Sequence, residues 1–152
     1  LMIDKAGNPK TIEFNCRMGD PETQPIILRL KSDLLDLLEH ALEGRLDQAA
    51  AEWDRRCALG VVLAARGYPG EPAKGDRIAG IPAPAPDCRV FHAGTRLEGK
   101  DLVTGGGRVL CVTALGDNLR IAQKRAYECV DAIRFNGLQC RRDIGYRALK
   151  RG

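Results

Sequence analysis

Three polar side chains alternate along one short segment, and their types could bind a metal ion and an anion. Glu13, Asn15 and Arg17 occupy every second position, so on a β-strand they would share one face. A carboxylate and an amide oxygen are ligands that Mg²⁺ accepts while it keeps waters and phosphate oxygens, and arginine binds carboxylate or phosphate bidentately. The opposite, inward face would carry Ile12, Phe14 and Cys16. The spacing allows a cation site, but taken alone it favours an exposed strand face, which often carries the same residue types for solubility.

The next residues form a polar turn that leads into a helix. Residues 17–24 read Arg-Met-Gly-Asp-Pro-Glu-Thr-Gln, and proline is favoured in the first turn of a helix. Asp20 could cap this helix or accept a hydrogen bond from a substrate amine. Glu22 would complement the helix dipole, and we assign it no catalytic role.

Two further basic groups could bind an anion. Arg108 follows a run of three glycines, which fits either a phosphate-binding loop or a hairpin turn. Arg141 and Arg142 form a guanidinium pair near the C-terminus. They could bind a phosphate, or Arg142 could form a structural ion pair with Asp143.

The pattern along the chain predicts the elements that hold these residues. We expect a β-hairpin with strands at 2–3 and 11–14 and a helix over 21–30. Ser32 or Asp33 should cap a second helix, which ends at Gly44 and whose leucine stripe belongs to the core. After these helices the sequence becomes β-rich, with strands expected at 59–65, 77–81, 89–92, 101–104 and 108–114. Asp117 or Asn118 should cap a long helix that ends at 136–137 and packs across the sheet. We place a domain boundary between residues 53 and 54, which gives domains 1–53 and 54–152.

Composition excludes several classes of protein. The chain has 152 residues, of which 44% are hydrophobic, and no apolar run approaches the roughly 20 residues of a membrane span. The first residues do not resemble a signal peptide. With a net charge of +4 and only 5% aromatic residues, nucleic-acid binding is not expected, whereas small anionic substrates are. The six cysteines include no C-x-x-C pair, so we expect reduced thiols in a cytoplasmic protein.

The segment from Glu13 to Gln24 closely resembles the signature of the phosphoribosylamine–glycine ligase family, also called glycinamide ribonucleotide synthetases. The resemblance extends in family order through almost the whole chain. It includes residues 59–65, 67–70, 74–76, 90–95, 106–110 and 140–147.

This resemblance implies an α+β fold and a specific reaction. The fold would be the end of an ATP-grasp domain followed by a small β-rich domain of the rudiment single hybrid type, with one long packed helix. The family joins glycine to 5-phosphoribosylamine with ATP and Mg²⁺ or Mn²⁺, forming glycinamide ribonucleotide, ADP and phosphate in purine biosynthesis. The implied roles are metal binding by Glu13 and Asn15, catalysis by Arg17, and substrate binding by Asp20, Arg108 and Arg142.

The family pattern also includes a large N-terminal region that holds most of the ATP and substrate sites. That region is missing from this sequence, so we expect the chain alone to be inactive. The sequence is compatible with two alternatives. The chain could belong to another ATP-grasp enzyme, such as a biotin-dependent carboxylase, or it could be a non-catalytic interaction or assembly module.

Overall fold

The computed structural model describes residues 1–14 and 16–150, which form a mixed α/β fold. The strands are β1 (Met2–Ile3), β2 (Pro9–Lys10), β3 (Cys57–Ala64), β4 (Cys88–His92), β5 (Thr95–Glu98), β6 (Asp101–Thr104) and β7 (Arg108–Gly116). The helices are α1 (Thr23–Arg29), α2 (Leu34–Leu42), α3 (Leu119–Val130) and α4 (Tyr146–Leu149), with a 3-10 turn at Leu46–Gln48.

A three-stranded antiparallel sheet is the centre of the fold. Its middle strand is β7, with β3 on one side and β4 on the other, so that Val61 and Val90 both lie opposite Val112. Because side chains alternate along a strand, the apolar residues of β3 fall into two sets. Leu59, Val61 and Leu63 are buried against the α3 side of the sheet. Gly60, Val62 and Ala64 face the other way, where an open cavity lies.

Helix α3 covers the buried face of this sheet. The side chain of Asn118 accepts a hydrogen bond of 3.0 Å from the backbone N–H of Ile121, which confirms one of the two predicted caps. Ala122, Ala126 and Val130, spaced four residues apart, are buried against the strands. The helix ends at Val130, earlier than predicted.

The residues that follow α3 explain this early end. Ile133 is buried in the core after the last helical turn, and Arg134 forms a β-bridge with Ala79. The apolar spacing that predicted a helix to 136–137 therefore extends beyond the helix, into a segment whose backbone is no longer helical. Position 79 lies in the predicted strand 77–81, which consists only of isolated bridges to Val103 and Arg134. Strand β5, which pairs with β6, was not predicted.

The N-terminal hairpin differs from its prediction. Its second strand is Pro9–Lys10 instead of residues 11–14. Ile12 and Phe14 are 65% and 84% exposed, and Cys16 is exposed as well. The inward-facing apolar side predicted for this segment is therefore wrong within the described residues, because alternation alone does not show which layer covers a face.

The leucine stripe of α2 is not part of the core. The helix forms as predicted, and the carboxylate of Asp33 accepts a hydrogen bond from Leu35 N–H at 2.8 Å as its cap. Yet Leu35, Leu38 and Leu42 are 63%, 52% and 88% exposed. An amphipathic pattern reports that a helix has an apolar face, and the described residues do not cover this one.

Hydrogen bonds connect the two predicted domains at their boundary. The backbone N–H of Asp54 donates a bond of 2.7 Å to the carbonyl of Arg29, and the guanidinium of Arg29 donates two hydrogen bonds to the carbonyl of Asp54. The boundary itself stays a prediction. Among the helices of the described residues, none has the length and apolar character needed to cross a membrane.

Candidate functional site

An open cavity of about 500 Å³ lies over the face of β3 that α3 does not cover. This volume is in the range typical of small-molecule sites. Gly60 and Ala64 leave the space because they carry little or no side chain, and Val62 provides an apolar floor between them. The lining residues are Pro21, Gly60, Val62, Ala64, Tyr68, Arg108, Gln139, Cys140, Arg141 and Ile144.

Two of the predicted substrate residues form an ion pair, and one of them, Arg108, lines this cavity. Arg108 Nε lies 3.0 Å from Asp20 Oδ2, and the two side chains are 44% and 50% exposed. This ion pair connects the polar turn before α1 to the first residue of β7. Asp20 does not cap the helix, because the N-cap position of α1 is Glu22.

The turn that carries Asp20 is held by its own hydrogen bonds. The carboxylate of Glu22 accepts a bond of 2.9 Å from Gly19 N–H. The hydroxyl of Thr23 donates to the carbonyl of Gly19 at 2.7 Å. A Cβ atom on Gly19 would lie 2.6 Å from the carboxyl carbon of Glu22, so glycine makes room for this closure. Glu22 thus has a local structural contact within this turn.

Tyr68 supports Arg108 from the other side. The guanidinium carbon of Arg108 lies 5.9 Å from the centre of the Tyr68 ring, within the range of a cation–π contact. The same ring packs on Gly107, where a Cβ atom would lie 2.4 Å from Tyr68 Cδ2. Sequence reasoning missed Tyr68, although the neighbouring glycines and proline marked the segment as a turn.

The glycine run before Arg108 connects two different sheets. Strand β6 pairs with β5, whereas β7 pairs with β3 and β4, so the predicted hairpin turn is wrong. The carbonyl of Gly107 accepts a hydrogen bond of 2.8 Å from Ala65 N–H, and Gly105 N–H donates to Gly94 at 2.7 Å. The glycines therefore allow close backbone approach at the cavity rim.

The C-terminal arginine pair is divided between two environments. Arg141 lines the cavity and forms two hydrogen bonds with the carboxylate of Asp143, at 3.0 and 2.9 Å. This contact lowers the pKa of Asp143 below its ordinary value. Arg142 Nη1 lies 2.5 Å from Asp131 Oδ1. Its guanidinium also stacks over Tyr127, with its central carbon 5.6 Å from the centre of the ring. The predicted Arg142–Asp143 pair is therefore wrong, because Arg141 takes that carboxylate.

Both arginines that line the cavity are paired with aspartates. Arg108 is paired with Asp20, and Arg141 with Asp143. A guanidinium has five N–H donors, so each arginine keeps donors for a bound anion after making these contacts. A ligand that carries both a phosphate and an amine would find donors for the phosphate and an acceptor for the amine here.

The described residues of the proposed metal-binding segment do not line this cavity. Glu13 and Arg17 are exposed and are not among the residues that line it. Asn15 lies outside the described residues. Within residues 1–14 and 16–150, no group of three or more histidine, cysteine, aspartate or glutamate side chains could hold a metal ion.

Comparisons with known proteins identify close relatives. The family model described as "Phosphoribosylglycinamide synthetase, C domain" matches residues 58–147. The phosphoribosylamine–glycine ligase of Vibrio cholerae is 58% identical over 152 residues, and that of Salmonella typhimurium is 60% identical over 153 residues. Each match includes 99% of this chain but only 35% and 36% of the respective relative.

A solved structure is similar as well. The crystal structure of phosphoribosylamine–glycine ligase from Thermotoga maritima matches with a TM-score of 0.73 and 36% sequence identity. The match covers 90% of this chain and 34% of that one. The chain therefore spans about a third of the length of its relatives. Their shared name does not favour the alternatives of a carboxylase or an assembly module.

Proposed function

The chain belongs to the phosphoribosylglycinamide synthetase family, and from this premise we propose that it is the C-terminal part of an ADP-forming ligase. The complete enzyme joins glycine to 5-phosphoribosylamine, using ATP, and releases glycinamide ribonucleotide, ADP and phosphate in purine biosynthesis. The match of residues 58–147 to the family's C domain supports this assignment. So do relatives of the same name at 58–60% identity.

In this proposal residues 1–53 complete an ATP-grasp domain and residues 54–152 form the small β-rich domain of the rudiment single hybrid type. The exposed side chains of Phe14, Leu35 and Leu42 support the first part. Large apolar side chains at these exposures are suited to packing against another layer. The preceding region of the ligase would supply that layer.

The two arginine–aspartate pairs at the cavity are the observation that carries the substrate assignment. The substrate 5-phosphoribosylamine has a phosphate at one end and an amine at the other. We assign phosphate binding to Arg108, because its remaining donors can form charge-assisted hydrogen bonds with phosphate oxygens. Asp20, 3.0 Å from Arg108, would accept a hydrogen bond from the amine and orient its lone pair toward the activated glycine.

The C-terminal arginines contribute the other wall in this proposal. Arg141 lines the cavity and is therefore our candidate for a second phosphate contact. Substrate binding by Arg142 stays a prediction from the family resemblance, since its guanidinium stacks on Tyr127 and pairs with Asp131.

Glu13, Asn15 and Arg17 would face the nucleotide. Glu13 and Asn15 are proposed ligands of Mg²⁺ or Mn²⁺, a role that their oxygen donors suit. The bound cation would neutralise the charge that phosphoryl transfer develops. Arg17 would bind the transferred phosphate or a substrate carboxylate. The remaining ligands would come from the rest of the ligase, and its location would be the cytoplasm, as free thiols support.

A coupled assay of ADP release tests this function. We expect the intact ligase that contains this chain to release ADP only when ATP, glycine and 5-phosphoribosylamine are present together. The 152-residue chain alone should show no turnover. Release of ADP with bicarbonate in place of glycine would refute the proposal and favour a carboxylase.

A further inference from the structure

Tyr127 on α3 holds the backbone that forms one wall of the cavity. Its hydroxyl donates a hydrogen bond of 2.8 Å to the carbonyl of Arg141. The same oxygen accepts a bond of 3.1 Å from the N–H of Ile144. A single hydroxyl therefore connects two residues that both line the cavity, although Tyr127 itself is not one of the lining residues.

Gln123 strengthens this attachment from the preceding helical turn. Its side-chain amide donates a bond of 2.8 Å to the carbonyl of Ile144. Residues four positions apart lie on the same face of a helix, so Gln123 and Tyr127 act on the segment together. Residues 141–144 have no regular secondary structure, and these three hydrogen bonds fasten them to the rigid helix.

The protonation state of Tyr127 suits this role. Burial raises the pKa of its hydroxyl above the ordinary value, which is about 10 for tyrosine. The group therefore remains protonated at neutral pH and can donate to the Arg141 carbonyl. Its ring also carries the guanidinium of Arg142 at 5.6 Å, which separates that arginine from the one in the cavity.

We propose that Tyr127 is a positioning residue that sets Arg141 at the cavity for its contact with the substrate phosphate. This inference rests on the proposed function, because it requires that the cavity binds 5-phosphoribosylamine. Tyr127 would act entirely through the segment 141–144. Loss of the hydroxyl should therefore impair substrate binding without a direct effect on ATP or on the chemical step.

The Tyr127→Phe variant of the intact ligase tests this role, since it removes both hydroxyl bonds and keeps the ring. We expect the KM for 5-phosphoribosylamine to rise about tenfold, with kcat and the KM for ATP changed less than twofold. Gln123→Ala removes one bond and should raise the same KM about threefold. Tyr146→Phe is the matched control, because among the described residues its hydroxyl forms a hydrogen bond only with the exposed Arg147, and we expect no change.

A double-mutant cycle separates positioning from a general structural effect. Arg141→Gln should itself raise the KM for 5-phosphoribosylamine, and adding Tyr127→Phe in that background should change it less than twofold. In the intact ligase, hydrogen exchange at the Ile144 amide should accelerate at least tenfold in Tyr127→Phe.

Three outcomes would overturn the inference. They are additive effects in the cycle, an equal rise in the KM for ATP, and unchanged exchange at Ile144. If Arg141→Gln leaves the KM for 5-phosphoribosylamine unchanged, both the proposed contact of Arg141 with the substrate phosphate and the positioning role of Tyr127 are refuted. The ligase function would still stand as long as ADP release requires glycine and 5-phosphoribosylamine. Loss of that requirement would refute the proposed function itself.

Discussion

Replacing Arg108 with glutamine should distinguish the contribution of this residue to stability from its contribution to substrate binding. Arg108 is 44% exposed and contacts Asp20 at 3.0 Å, and exposed ion pairs contribute about 0.2–1 kcal/mol. Its cation–π contact with Tyr68 adds about 0.5 kcal/mol at such a site. We therefore expect Arg108→Gln to lower the free energy of unfolding by about 1 kcal/mol.

The same change should have a much larger effect on substrate binding. A hydrogen bond to a charged group contributes about 1.5–3 kcal/mol. Since 1.4 kcal/mol corresponds to about a tenfold change in affinity, the KM for 5-phosphoribosylamine should rise roughly 10- to 150-fold. Urea unfolding of the chain and steady-state kinetics of the intact ligase measure the two effects separately.

Arg77→Gln is the matched control for this experiment. Arg77 Nε lies 2.9 Å from Asp101 Oδ1 in a comparable but more exposed pair, and it is not among the cavity residues. We expect a similarly small loss of stability and an unchanged KM. If Arg108→Gln alters the KM less than threefold, Arg108 is only the structural partner of Asp20 and our assignment is wrong. A loss of more than about 3 kcal/mol of stability would contradict the surface-pair estimate.

Three further predictions concern the metal, the packing of α3 and the thiols. Glu13→Ala should abolish Mg²⁺-ATP-dependent ADP release by the intact ligase, and near-normal release would refute the metal assignment. Gly116→Ala should lower the free energy of unfolding by about 1–3 kcal/mol, because its Cβ would lie 2.4 Å from the backbone nitrogen of Ala122. A Cβ atom at Gly60 would lie no closer than 3.4 Å to any other atom, so Gly60→Ala should change the free energy of unfolding by less than about 1 kcal/mol. Equal losses of stability for the two variants in urea unfolding would contradict this prediction. Burial raises the pKa of Cys129 to about 12, so iodoacetamide at pH 8 should label it far more slowly than the exposed Cys16. The labelling rate of Cys129 should rise with pH, and peptide mass spectrometry can measure it. Equal labelling rates of the two thiols would count against their different burial.

Strand β3 and the start of helix α3 could be predicted because their sequence signals, an apolar run and a capping residue, are local. Residues 59–65 are a continuous apolar run, and the observed β3 covers Cys57–Ala64. The cap of α3 is encoded by Asn118 and confirmed by its bond to Ile121. Such signals depend on backbone geometry and burial within a few residues.

The errors arose where the partner surface decides the outcome. The stripe of α2 predicted a helix correctly, but its burial depends on a layer that the described residues do not provide. At the end of α3 the apolar period continued through Ile133, although the backbone had already become extended to pair Arg134 with Ala79. Periodicity reports which side chains are apolar, and it cannot report where tertiary pairing replaces the helix.

The cavity could be predicted only in part, because it depends on pairings between distant segments. Asp20 and Arg108 were each proposed to contact substrate, yet nothing in the sequence indicated that they bind each other. Likewise, adjacent arginines look equivalent in sequence, and the hydroxyl of Tyr127 together with Asp131 and Asp143 directs them to different places. These contacts have a common consequence for recognition. Each cavity arginine is already neutralised by an aspartate, so the cavity offers little net charge to a simple anion but both donors and acceptors to a substrate with a phosphate and an amine.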